Sequence, residues 1–358
     1  MARFHADTGD IVEVASLDSP SDPWVREFPI RVHALGPVNT GYGYTSNFTT
    51  WLRNHYQDFD AVIVDGLWQY SSFGVWRVLR GSMVPYYVFP HGMLDPWFKR
   101  TYPLKHMKKW LYWPWAEYRV LRDAKQVFFT CEEERRLARE SFWLYRCHET
   151  VVGFGTTMPS GDPLHYRLEF LTAFPALQGQ EFWLFLARLH EKKGIDLLLQ
   201  AFARISPQRP SLRLVIAGPD QGCLKSKLEQ LAARLKITDR IIWTGMLSGD
   251  LKWGAFYNAE VFILPSHQEN FGIAVAEALA CRVPVLISNK VNIWREIEQE
   301  GAGFVGNDDL EGLFNICLRW LDLQDSEKHS MRRNALVCFE RHFEMKRLVE
   351  RFRACLKN

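Results

Sequence analysis

Several features that would point to a compartment or a chemistry are missing from this chain. No apolar run approaches the roughly 18 residues of a membrane span, so none is predicted. The opening MARFHADTGDIVEV has no apolar signal core and gives export no support. Cysteine is sparse, seven residues with no C-x-x-C pair, which fits reduced thiols rather than a disulfide framework. Neither sign of charge prevails: 44 Lys plus Arg stand against 41 Asp plus Glu, a net charge of +3, and no nucleic-acid partner is expected. No Asp-x-Asp closes a strand candidate, no repeat has a solenoid period, and no tract is of low complexity. The Gly-Tyr-Gly-Tyr at 41–44 is not G-x-G-x-x-G and is assigned no phosphate. A cytoplasmic protein without a metal site is the expectation.

What is present is a globular composition, 47% hydrophobic and 24% charged, in 358 residues. That length predicts two domains of roughly 150 to 200 residues each. From residue 182 short apolar runs alternate with amphipathic stretches; the runs fall at 182–187, 212–218, 241–245, 261–265, 283–288 and 303–306. The first half repeats the alternation at 11–16, 29–35, 61–66, 85–90, 124–130 and 149–155. Near-continuous apolar strands separated by helices imply parallel sheets covered on both faces. The fold class is therefore α/β, with a first domain at 1–160, a linker at 161–180 and a second domain at 181–342. Two doubly wound domains in tandem would face a cleft at the carboxyl ends of their strands.

The most informative stretch is PSHQENFGIAVAE (265–277), directly after the apolar run Val261 to Leu264. A helix starting near Asn270 to Gly272 would present unpaired N–H groups to an anionic oxygen. Glu269 precedes that helix and Glu277 lies within it; eight helical residues span about 12 Å, too far to assume a shared metal. Two hydroxyl-bearing parts of one extended ligand would suit them better. Each glutamate alone is as well explained by charging the helix start or by solvation. The combination is the specific feature.

That combination resembles the E-x7-E signature of retaining, family 4 glycosyltransferases of the GT-B fold. The resemblance implies two Rossmann-like domains, and it assigns Glu269 to the donor sugar and Glu277 to the ribose of the nucleotide. Asn270, Phe271 and Gly272 would give backbone donors. FLARLHEKKGIDLLLQAF (185–202) is similar to the family's first donor-domain strand and loop, so Arg188 and Lys193 correspond to the cations that hold the diphosphate. A departing nucleoside diphosphate gains negative charge, which fixed cations must stabilise. IAGPDQG (216–222) matches a further loop, with Gly218 and Pro219 shaping the backbone. HGMLDPW, beginning at His91, resembles the loop whose histidine approaches the donor sugar, and with VVGFGT (151–156) and NIWREI (292–297) it is similar to a subgroup of bacterial polysaccharide assembly.

The resemblance implies no cofactor beyond a nucleotide-sugar donor of UDP, GDP or ADP type, with a glycan or lipid-linked acceptor, in polysaccharide or lipid-linked glycan assembly. The family normally opens with a strand, a Gly-rich loop and a helix. Here RFHADTGDIVEVASLD (3–18) is similar to the end of that helix and to the family's second strand, so the expectation is an N-terminally short chain. An inactive relative that binds only a nucleotide or a partner is the alternative. The terminal segment 343–358 crosses back to the first domain in the family. Residues 96–122 interleave Lys99, Arg100, Lys105, Lys108 and Lys109 with Trp97, Trp110, Trp113 and Trp115. Two readings stand open for them: docking on an anionic membrane surface at its inner face, or an aromatic helix packed on the first domain with its lysines in water.

Overall fold

The computed structural model describes residues 2–7, 9–38, 40–220 and 222–357. Gln221, within the expected loop 216–222, lies outside the described residues. The chain forms two compact units, Met1–Phe154 with Met345–Asn358, and Gly155–Glu344. Each of the twelve apolar runs contains a strand.

In the first unit, β1 (Val14–Ser16) pairs in parallel with β2 (Val32–Ala34). A four-stranded parallel sheet runs in the order β3 (Val62–Asp65), β4 (Tyr86–Phe89), β5 (Gln126–Phe129), β6 (Glu149–Val151). Among the described residues no ladder joins the two sheets. Alternation along β4 and β5 sends side chains to both faces. Tyr87, Phe89 and Phe128 meet Phe352 of the closing helix Met345–Lys357. Tyr86, Val88, Val127 and Phe129 instead share a core with Trp76, Val120 and Trp113.

This core holds one ionisable group that its geometry does not fully satisfy. Glu117 Oε1 accepts from the Trp68 N–H and the Ser72 hydroxyl, both at 2.9 Å, while Oε2 is buried without a partner. Burial pushes its carboxyl from 4.5 up to about 7. Between those values the folded chain holds a proton that the unfolded chain has lost, so stability falls as pH rises through the window, by about 3 kcal/mol. Urea denaturation across pH 3.5 to 8 (roughly one unit beyond the window on either side) is expected to show that slope, and to show it flattened in Glu117→Gln.

The second unit is a six-stranded parallel sheet in the order β12-β11-β10-β7-β8-β9. Its strands are β7 (Phe182–Leu186), β8 (Arg213–Ala217), β9 (Ile241–Gly245), β10 (Val261–Leu264), β11 (Val285–Ser288) and β12 (Gly303–Gly306). All four residues of β10 and of β11 are buried, as the apolar runs VFIL and VLIS require of central strands. The helix Ile195–Ile205 buries Ile195, Leu198, Leu199, Phe202 and Ile205, the three- and four-residue spacing of one helical face. Residues 161–180 differ from the linker expectation: they contain the helix Pro163–Ala173, which packs on the helix Gly249–Asn258. Tyr166 stacks on Tyr257, and Asn258 Nδ2 donates to the Arg167 carbonyl at 3.2 Å. Weak sequence patterning hid the helix because only Tyr166 and Phe170 are buried on it.

Candidate functional site

The strand order of the second unit reverses between β10 and β7, which lie side by side although β8 and β9 separate them in sequence. Their connections leave in opposite directions, so the loops beyond their carboxyl ends diverge around a notch, the place where open α/β sheets bind ligands. Residues 188–194 and 265–272 are those two loops. They are tied to each other through backbone, since the His267 N–H donates to the Lys192 carbonyl at 2.8 Å. Gly194 is left-handed (φ 65°), and a Cβ there would stand 2.2 Å from the Pro265 carbonyl oxygen. Gly218, after β8, has φ 143°, and a Cβ would fall 1.8 Å from the Ala187 carbonyl oxygen. Its neighbour Pro219 accepts from the Leu189 N–H at 3.0 Å. Both positions therefore need glycine so that three loops can close on one another.

At this junction Lys193 is paired with Glu269, with Lys193 Nζ donating to Glu269 Oε2. Lys193 is only 7% exposed. Burial, reinforced by the positive charges of Lys192 and Arg188, pulls its ammonium from 10.5 down to about 7, and the adjacent Glu269 carboxylate opposes that fall. Arg188 is exposed on the same loop. The backbone of Glu269 is pinned on both sides: its N–H donates to the Lys290 carbonyl at 2.9 Å and its carbonyl accepts from the Asn292 N–H at 3.0 Å. A carboxylate and an ammonium are thus held at a topological switch point by fixed backbone.

Gly272, left-handed at φ 78°, caps the helix Ile273–Ala280 without a side-chain hydrogen bond to its first turn. Asn270 Oδ1 accepts from Asn292 Nδ2 at 3.5 Å, and Phe271 lies edge-on to Phe343 at 5.6 Å. Glu277 is buried on that helix, with Oε1 accepting from Lys252 Nζ at 2.7 Å. Lys252 was missed by sequence reasoning, because nothing in its spacing marks it apart from the other solvated lysines. Glu269 and Glu277 do not touch each other; each carboxylate has its own ammonium.

In the first unit His91 follows β4 and adopts a left-handed backbone (φ 48°), a conformation that costs a non-glycine residue on the order of 1–2 kcal/mol. Its ring stacks on Phe89, and Nε2 donates to Asp65 Oδ1 at 3.0 Å, joining the ends of β4 and β3. The buried Glu134 fixes the next residue: Oε1 accepts from the Gly92 N–H at 2.6 Å and Oε2 from the Thr130 N–H at 2.7 Å. Asp65 and Glu134 were also missed. The only trace of Glu134 in the sequence is a run of three glutamates that opens the helix Glu132–Ala138.

Two Rossmann-like parallel sheets, with polar residues gathered at strand ends, define the GT-B class of α/β protein. Residues 1–155 match the model of a glycosyl transferase 4-like domain, and residues 170–336 match that of glycosyl transferases group 1. The chain belongs to the family 4-like glycosyltransferases. It is 31% identical over 137 residues to an uncharacterised glycosyltransferase of Methanocaldococcus jannaschii, covering 38% of this chain and 34% of that one. It is 25% identical over 228 residues to the lipopolysaccharide core biosynthesis mannosyltransferase LpsB of Rhizobium meliloti, covering 57% and 64%. These matches span less than two thirds of either relative. The crystal structure of HepE from Anabaena, in complex with UDP and glucose, superposes with a TM-score of 0.78 at 16% identity, covering 99% of this chain and 94% of that one.

Proposed function

We propose that the chain transfers a sugar from a nucleotide-sugar to an acceptor hydroxyl, with retention at the anomeric carbon and without a metal. The observation that carries this is the Lys193–Glu269 pair at the switch point of a sheet whose family transfers sugars. Lys193 and Arg188 take up the charge of the departing diphosphate, which fixed cations stabilise most where water is excluded. Glu269 holds the sugar hydroxyls and Glu277 the ribose, and N–H groups of Asn270, Phe271 and Gly272 supplement them. Gly218 and Pro219 shape the loop beside them. His91 orients the sugar near its reacting carbon. As the bond from the anomeric carbon to the phosphate oxygen breaks, that oxygen accepts the proton of the incoming hydroxyl on the same face. The hydroxyl oxygen forms the new glycosidic bond.

UDP and glucose in the HepE complex, and the mannosyl transfer named for the Rhizobium relative, support a nucleotide-sugar donor and a place in polysaccharide or lipid-linked glycan assembly. Such an acceptor is met at the inner face of a membrane. Calorimetric titration with UDP, GDP and ADP tests the reading. One nucleotide is expected to bind, and Glu277→Ala to weaken it on the order of 10- to 100-fold, the worth of a charge-assisted hydrogen bond. A folded chain that binds none of the three would sink the proposal.

A further inference from the structure

The helix Pro103–Tyr112 is amphipathic the wrong way round. A surface helix normally turns its apolar stripe inward. Here Leu104, Met107 and Leu111, spaced i, i+3 and i+7, are 75%, 57% and 63% exposed. Of the polar residues between them, His106 and Lys109 face the protein instead. His106 stacks on Phe142 at 4.8 Å, and Lys109 Nζ sits 4.5 Å over the Trp68 ring. Trp110 extends the outward stripe, and its ring lies 5.9 Å from that of Trp143, exposed on a separate segment. Lys105 and Lys108 flank the stripe, both in solvent. Residues 96–116 carry five cations and no acidic side chain, against a net charge of +3 for the whole chain.

Neither sequence reading of this segment holds in full. Trp113 is fully buried and Lys109 is turned inward, so those two residues belong to the packed helix. Leu104, Met107 and Leu111, which carried neither reading, form the outer face.

We propose that this face docks on an anionic lipid bilayer, with Leu104, Met107, Leu111 and Trp110 entering the interface and Lys105 and Lys108 meeting headgroup phosphates. An amphipathic helix binds a bilayer through apolar area plus attraction to anionic lipid. Lysine suits the rim because its stem lies along apolar surface while its ammonium stays in water. A second copy of the chain fits less well: a two-fold contact repeats one patch on both sides and brings cations against cations. A phosphate backbone would leave the apolar stripe uncovered. Among the described residues no helix is long and apolar enough to cross a membrane, so the contact is peripheral. The inference does not rest on the transfer reaction.

Co-sedimentation of the full chain with phosphatidylcholine vesicles, with and without phosphatidylglycerol, tests it. Binding is expected only with the anionic lipid and is expected to weaken as salt is raised. Lys105→Glu with Lys108→Glu should reduce it roughly 25-fold or more, about five-fold per cation lost. Leu104→Ser with Met107→Ser and Leu111→Ser should abolish it while leaving the melting temperature and UDP titration unchanged, since the altered side chains are in solvent. The proposal would be overturned by no binding to anionic vesicles, by both variants binding as tightly as the parent, or by a dimer in sedimentation equilibrium that the triple serine variant dissolves. Binding of a single-stranded RNA more tightly than the vesicles would overturn it too. Failure to bind a nucleotide would leave the vesicle result standing.

Discussion

Lys193→Met is expected to lower the rate of sugar transfer on the order of 10²- to 10³-fold, the usual effect of removing one fixed group that stabilises developing negative charge. The same change leaves the Glu269 carboxylate without its ammonium. Breaking a buried pair on one side destabilises by about 3–5 kcal/mol, and partial exposure of Glu269 places this case toward the lower figure. The two effects separate in a double-mutant cycle. Adding Glu269→Gln to Lys193→Met removes the unpaired charge and should restore most of the stability, while transfer stays as slow as in the single variant or becomes slower. Arg188→Gln supplies the complementary case, because Arg188 is exposed: its stability should stay within about 0.5 kcal/mol of the parent, with the transfer rate lowered. Rates measured with a nucleotide-sugar, beside urea denaturation of each variant, decide the matter. A Lys193→Met chain that is unstable but transfers at the parent rate would make the pair purely structural.

The second large effect concerns backbone rather than charge. Gly218→Ala is expected to destabilise the second unit by about 3 kcal/mol or more, because the added methyl would lie 1.8 Å from the Ala187 carbonyl in a conformation that L residues rarely adopt. Gly194→Ala should behave alike, with the Pro265 carbonyl 2.2 Å away. Neither neighbour is a flexible side-chain tip that could swing aside. Gly272→Ala is the internal comparison: it shares the left-handed backbone, but its nearest neighbours stand at 3.3 Å, so a cost of about 1 kcal/mol is expected. If all three alanine variants cost the same, the close approach of the loops would not be what demands glycine.

Periodicity made the strands legible, since each of them falls within one of the twelve apolar runs. The pairing of Lys193 with Glu269 was not legible, because the two residues are 76 positions apart and meet only where the strand order reverses. Resemblance put both residues on the donor without placing them in contact. Lys252, Asp65 and Glu134 stayed hidden for a related reason: each acts through a partner brought to it by the sheet, and none breaks the local pattern of its helix or strand. The helix Pro163–Ala173 was lost to a different cause, for a helix that buries two residues leaves little amphipathic signal. In 96–122, composition was read correctly as basic and aromatic, but which residues face outward is fixed by the packing of His106 and Lys109.

The closing helix has a consequence for the order in which the molecule matures. Phe352 fills the core formed by Tyr87, Phe89 and Phe128, so the first unit to leave the ribosome cannot finish its own interior until all of the second unit has been made. Residues 155–344 hold their sheet entire and can fold during synthesis; the earlier residues must wait with one face of β4 and β5 uncovered. A nascent chain stalled before Met345 would expose that face to chaperones.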